Sequence, residues 1–167
     1  MANRTKQGVE TMRRWMLLTV AWMSCLTMAA QDFLCQTREG RQLHFAELPK
    51  DRMTLLMFYD PDCSDCRQEL FEMRHSSLLR QTIAKGEVQV LCVYAEENEA
   101  LWRETAGELP DTWTVAIART DIKSLQQYDL SAMPVFYLYD TSGKVVATDN
   151  YFQTISLKLR ACAPESH

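Results

Sequence analysis

Residues 55–70, Leu55-Leu56-Met57-Phe58-Tyr59-Asp60-Pro61-Asp62-Cys63-Ser64-Asp65-Cys66-Arg67-Gln68-Glu69-Leu70, constrain the fold more than any other stretch of the 167-residue chain. An unbroken apolar run reads as a strand covered on both faces, because a half-exposed strand would alternate apolar and polar side chains. Pro61 stops the run, and two cysteines spaced Cys-x-x-Cys fall where an amphipathic helix begins. A helix N-terminus offers unpaired backbone N–H groups and a positive dipole end, and both stabilise a thiolate. The spacing lets the two sulfurs close a small disulfide ring, so that Cys63 can attack and Cys66 can resolve. The same spacing is half of a zinc site, so the rest of the chain must decide between the two.

The first thirty residues read as an address rather than as part of a fold. Arg13 and Arg14 precede the apolar run Trp15 to Thr27, which is short for a bilayer span and ends in Ala29 and Ala30 before Gln31-Asp32. The expectation is a secretory signal peptide over residues 1–30, with Met12 as an alternative start and an uncleaved membrane tether as the competing reading. Trp22-Met23-Ser24 before Cys25 is a poor lipoprotein cleavage site. Residues 31–167 then form one ordinary domain with a single core. Arg4, Lys6, Arg13, Arg14 and Glu10 leave with the first thirty residues, and the remainder of a chain with 18 basic and 22 acidic side chains is strongly acidic. It has no basic stripe, which argues against nucleic acid and anionic membrane surfaces as partners.

Five cysteines follow residue 30: Cys35, Cys63, Cys66, Cys92 and Cys162. An odd count in an oxidising compartment leaves at least one thiol unpaired or working by exchange. Cys92, inside the apolar run Val88 to Val93, reads as a core residue. Cys35 and Cys162, near the two ends, can either pair or stay free.

Asp32 to Phe45 reads as a β-hairpin with Glu39-Gly40 at its turn. After the strand Thr54 to Tyr59, one helix is expected to run to Lys85-Gly86, with Asp62 as N-cap and Asp65 at the third helical position. Its apolar stripe comprises Cys66, Leu70, Met73 and Ser77, widened by Phe71 and Leu78. Val88 to Tyr94 is the next strand, so a right-handed parallel crossover is expected. Glu96 to Glu108 reads as a surface helix with an acidic face, and Trp113, Val115 and Ile117 as a short strand. Ile122, Leu125 and Tyr128 mark a short helix, and Val135 to Tyr139 a buried strand. Thr141-Ser142-Gly143 then makes a turn into Lys144 to Thr148, and Ile155, Leu159 and Cys162 a closing helix. These parts make an α/β sandwich.

This order of parts resembles the thioredoxin superfamily over nearly all of residues 31–167. The resemblance is carried by Asp60-Pro61-Asp62-Cys63-Ser64-Asp65-Cys66 after a strand, the hairpin before it, Tyr128-Asp129-Leu130-Ser131-Ala132-Met133-Pro134 leading into the last hairpin, and Gly143 at its turn. The N-terminal hairpin and the insert Glu96 to Trp113 are similar to the TlpA-like exported branch, and the motif wording to thioredoxin-like proteins of Bacteroidota. The resemblance implies a thioredoxin-like three-layer sandwich, with a mixed central sheet, an N-terminal β-hairpin and helices on both faces. It also implies a cis peptide bond before Pro134, facing Cys63 and Cys66, with Met133 and Pro134 binding the substrate backbone. Two departures stand out. Met57 occupies the position of the buried acid in thioredoxins proper, and Phe71 stands where many relatives have a helix-kinking proline, so no kink is expected. Met133 is bulkier than the usual residue before this proline and narrows the implied groove.

The implied chemistry is thiol–disulfide exchange with protein thiols and disulfides, without a cofactor, recharged by an unidentified membrane electron donor in the periplasm. Cys63 and Cys66 are the catalytic pair, flanked by Asp62, Ser64 and Asp65. Asp60, Asp62 and Asp65 oppose the helix dipole, and because strong oxidants owe their potential to a stabilised reduced form, the acidic motif points to a reductant. Zinc would need two further ligands, and His44, His75 and His167 have no metal-ligand spacing. A peroxidase would carry threonine or serine where Asp60 stands. Two rivals are left: a thioredoxin-fold binding module with a static disulfide, and a metal- or haem-maturation chaperone.

Overall fold

The long apolar runs become the middle of one mixed seven-stranded sheet, described by a computed structural model over residues 32–162. The expected signal peptide and Cys25 lie outside the described residues. The strands are β1 (Leu34–Thr37), β2 (Gln42–His44), β3 (Met53–Tyr59), β4 (Val88–Tyr94), β5 (Thr114–Ala118), β6 (Val135–Tyr139) and β7 (Val145–Asp149), in the order β2-β1-β5-β4-β3-β6-β7. β4 pairs in parallel with β3 and β5, whereas β6 pairs antiparallel with β3 and β7, and β1 antiparallel with β5 and β2. Every residue of β3 is buried, which is why its sequence lacks alternation. Gly40 and Gly143 sit at φ 85° and 81° in the turns of the two hairpins, a backbone region that costs glycine least.

Alternate side chains of the central strands enter two clusters. Leu55, Met57 and Tyr59 of β3 face one side with Val90, Cys92 and Tyr94 of β4, and Leu56 and Phe58 face the other with Leu91 and Val93. The first cluster is covered by four helices: α1 (Ser64–His75), α2 (Ser77–Ala84), α3 (Glu99–Ala106) and α4 (Phe152–Cys162). They bury Cys66, Leu70 and Met73, Leu79, Trp102 and Ala106, and Phe152, Ile155 and Leu159, respectively. Over the second face the layer consists of short 3₁₀ turns, Phe45–Glu47 and Ile122–Ser124, with Phe33, Phe45 and Tyr128 packed on Phe58, Tyr137 and Tyr139. The short helix expected around Ile122 is therefore a single 3₁₀ turn, capped by Asp121 and ended by extended backbone at Leu125.

The helix expected to run unbroken to Lys85 is two helices. Ser76 has extended backbone (φ −66°, ψ 113°), and its Oγ accepts the Leu79 N–H at 3.1 Å, capping α2 where α1 stops. The break rephases the buried stripe from Cys66, Leu70 and Met73 to Leu79 and Thr82, leaving Ser77 exposed and Phe71 53% exposed. Among the described residues no helix is long and apolar enough to cross a membrane.

Candidate active site

The C-terminal end of β3 delivers the chain to the site. The Asp60 carboxylate accepts the Asp62 N–H at 2.9 Å, and the Asp60 carbonyl accepts the Cys63 N–H at 3.1 Å, so residues 60–63 form a tight turn. From the first turn of the helix, Arg67 reaches back to donate to the Pro61 carbonyl at 2.9 Å. The turn places Cys63, rather than Asp62, at the N-cap of α1, with φ −77° and ψ 123°. Its Sγ accepts the Cys66 N–H at 3.3 Å. The Asx turn made by Asp60 postpones the helix by one residue relative to the expectation, so Asp65 is the second helical residue and Asp62 points into solvent.

The two sulfurs have different surroundings. Cys63 is half-exposed at the helix tip, whereas Cys66 is fully buried one turn inside. Burial pushes the Cys66 thiol well above its ordinary value; the Asp60 N–H, 3.4 Å from Sγ, pulls the other way, and Cys63 and the Asp60 carboxylate add to the rise. Ser64 and Asp65 lie on the exposed outer side of the tip, with their side chains 3.5 Å apart.

Facing the tip is the loop before β6. Cys63 Sγ–H points at the Met133 carbonyl at 3.6 Å, and the Met133–Pro134 bond is cis. Pro134 is buried and Met133 half-buried. The structure thus brings Cys63, Cys66, Met133 and Pro134 together, with Asp62, Ser64 and Asp65 on the outer rim. Two residues that tie the surroundings of this constellation together were not singled out from sequence. Asn150 donates from its amide to the carbonyls of Ala132 (3.2 Å) and Pro134 (2.5 Å), and the Glu69 carboxylate accepts the Phe152 N–H at 2.7 Å. Neither has a local signature, because each partner is brought in by the fold.

The other cysteines stand apart from this site. Cys35 is buried on β1, with Sγ 3.3 Å from the Leu43 carbonyl, and burial pushes its thiol up to about 12. Cys92 is buried in β4, and Cys162 is exposed at the end of α4 instead of lying on that helix's buried stripe. Cys35 and Cys162 are not joined: Cys35 packs in the cluster on the face of the sheet opposite α4. Among the described residues, no group of three or more His, Cys, Asp or Glu side chains is arranged to hold a metal ion.

Comparison with known proteins agrees with this architecture. No curated protein matches the chain. Among solved structures, a conserved Bacteroides fragilis protein of unknown function is 30% identical over 78% of this chain and 96% of its own, with a TM-score of 0.72. A thioredoxin-like protein from Bacteroides caccae is 26% identical over 93% of this chain and 56% of its own, with a TM-score of 0.74. A thiol-disulfide oxidoreductase from Bacteroides fragilis, 19% identical over 80% of this chain and 98% of its own, shares the fold at a TM-score of 0.67. The thioredoxin-like domain profile matches residues 42–150, a span that opens at β2 and contains the cysteine motif, the cis-proline loop and Asn150. With its central strand, cysteine-capped helix and facing proline loop all inside that span, the chain belongs to the thioredoxin-like domain family.

Proposed function

We propose that this chain is an exported thiol–disulfide oxidoreductase, acting in the periplasm on protein substrates and working in the reducing direction. The observation that carries the reading is the cap of α1: the half-exposed Cys63 sulfur receives the Cys66 N–H at 3.3 Å and faces the Met133 carbonyl at 3.6 Å. That N–H and the N-terminal end of α1 are aimed at the sulfur that attacks.

The exchange runs in two steps. Cys63 thiolate attacks one sulfur of a substrate disulfide; the S–S bond breaks, and the first substrate thiolate leaves and takes up a proton. The Cys66 thiol then loses its proton and attacks the Cys63 sulfur, releasing the second substrate sulfur as a thiol and closing the Cys63–Cys66 disulfide. The substrate gains two electrons and the protein loses two, so a dithiol donor must return them; the expected source is a membrane protein. Burial of Cys66 disfavours its thiolate and Asp60, Asp62 and Asp65 surround the tip, so the reduced form gains little charge stabilisation, which supports the reducing direction. Residues Met133 and Pro134 offer backbone to an extended substrate segment.

Insulin reduction followed by turbidity tests the reading. Turnover by the wild type that vanishes in Cys63→Ala is the expected result. Thiol-independent or absent turnover would instead favour a binding module.

A further inference from the structure

One short junction holds both halves of the site. The passage from β7 into α4 bonds to the proline loop through Asn150 and to the cysteine helix through Phe152, the first residue of α4. Asn150 grips the carbonyls of Ala132 and Pro134, and the carbonyl between them, that of Met133, is the one that faces Cys63 Sγ. Two carbonyl acceptors require the amide nitrogen on that side, so the orientation of Asn150 is fixed by its partners. Two residues on, the Phe152 N–H at the start of α4 is taken by Glu69, on the helix that Cys63 caps and that carries Cys66. A carboxylate at a helix N-terminus is favoured both by the orphan N–H and by the dipole. Glu69 is half-buried, and Phe152 is buried against Phe136 of β6, so the junction is anchored in the core as well.

We propose that Asn150 and Glu69 are positioning residues: the junction 149–152 is a strut that sets the gap between Cys63 and the Met133 backbone, and thereby the docking of polypeptide substrates. The proposal rests on the exchange reading above. The strut acts on the substrate backbone rather than on the sulfur, so its loss falls unevenly on substrates. A protein disulfide needs the Met133–Pro134 backbone in register with Cys63; a small aromatic disulfide needs only an open sulfur.

The test compares insulin with 5,5′-dithiobis(2-nitrobenzoate) for wild type, Asn150→Ala, Glu69→Ala and Glu69→Gln, with urea melts to verify folding. Loss of the two Asn150 hydrogen bonds is expected to lower kcat/KM for insulin on the order of tenfold more than for the small disulfide, mostly through KM. Glu69→Ala shifts the same ratio. Glu69→Gln, whose amide oxygen still accepts the Phe152 N–H, restores it to within about twofold of wild type. Equal losses on both substrates, no loss, or a glutamine no better than alanine would overturn the strut. The Glu69 pair lies outside the proline loop and keeps the test decisive if Asn150→Ala does not fold. Absence of Cys63-dependent turnover in the wild type would overturn the exchange reading itself, which separates the two failures.

Discussion

The cap of α1 makes a prediction that depends on one residue of register. Cys63 occupies the N-cap with its Sγ on the Cys66 N–H at 3.3 Å, while the exposed Asp62 makes no cap contact. Serine at an N-cap is worth about 0.5–2 kcal/mol over alanine, because its oxygen satisfies an N–H that alanine leaves unpaired. Cys63→Ser is therefore expected to be about 1 kcal/mol more stable than Cys63→Ala. Asp62→Ala, which removes a surface carboxylate and keeps the Asp62 N–H on Asp60, should change stability by less than about 0.5 kcal/mol. A domain of about 130 residues unfolds with an entropy of about 0.27 kcal/mol/K, so 1 kcal/mol corresponds to a Tm difference of about 4 °C. Thermal and urea melts in excess dithiol, which keeps the cysteines reduced in every variant, measure both differences. Equal stability of the two Cys63 variants, combined with a loss of 1 kcal/mol or more in Asp62→Ala, would move the cap to Asp62. That would refute the placement of the attacking sulfur at the helix tip.

Two further outcomes follow from burial and charge. With iodoacetamide and mass mapping of the reduced native protein, Cys63 and Cys162 should label readily, while Cys35, Cys66 and Cys92 stay protected until unfolding; early labelling of Cys35 or Cys92 would contradict their packing. Asp140, whose carboxylate accepts the Ser142 hydroxyl, the Ser142 N–H and the Lys144 N–H, is held below its ordinary value of 3.8, first by the Ser142 side chain. A depressed acid favours the fold above its unfolded pKa and loses that contribution as pH falls through the folded one, so Asp140→Asn should flatten the acid limb of the stability curve below about pH 4. An NMR titration placing this carboxyl at or above 3.8 would remove the effect.

What could be read from the chain were the elements whose cause is local. β3, β4 and β6 announced themselves by apolar runs, the two hairpins by Gly40 and Gly143, and the site by the cysteine spacing at a strand–helix junction. The helix break was not legible, since Ser76 looks like any exposed helical serine until its hydroxyl turns to Leu79. The cap was displaced by an Asx turn at Asp60, a competitor that Asp62 itself does not reveal. The helical spacing of Ile122, Leu125 and Tyr128 suggests a helix on the second face, yet the chain makes a 3₁₀ turn at Ile122–Ser124 and a second turn closed by the Tyr128 N–H on the Leu125 carbonyl, which sets the Tyr128 ring on Phe58 and Tyr137. Glu69 and Asn150 were invisible for a different reason: the partner of Glu69 is 83 residues away, and Asn150 matters only because β7 returns it beside the proline loop.

The central claim, that Cys63 attacks and Cys66 resolves, is tested most directly by stalling the second step. Cys66→Ser incubated with an oxidised protein substrate should accumulate a dithiothreitol-sensitive adduct whose linkage maps to Cys63, and Cys63→Ser should accumulate none. Adduct at Cys162 in both variants, or no adduct in either, would contradict the account.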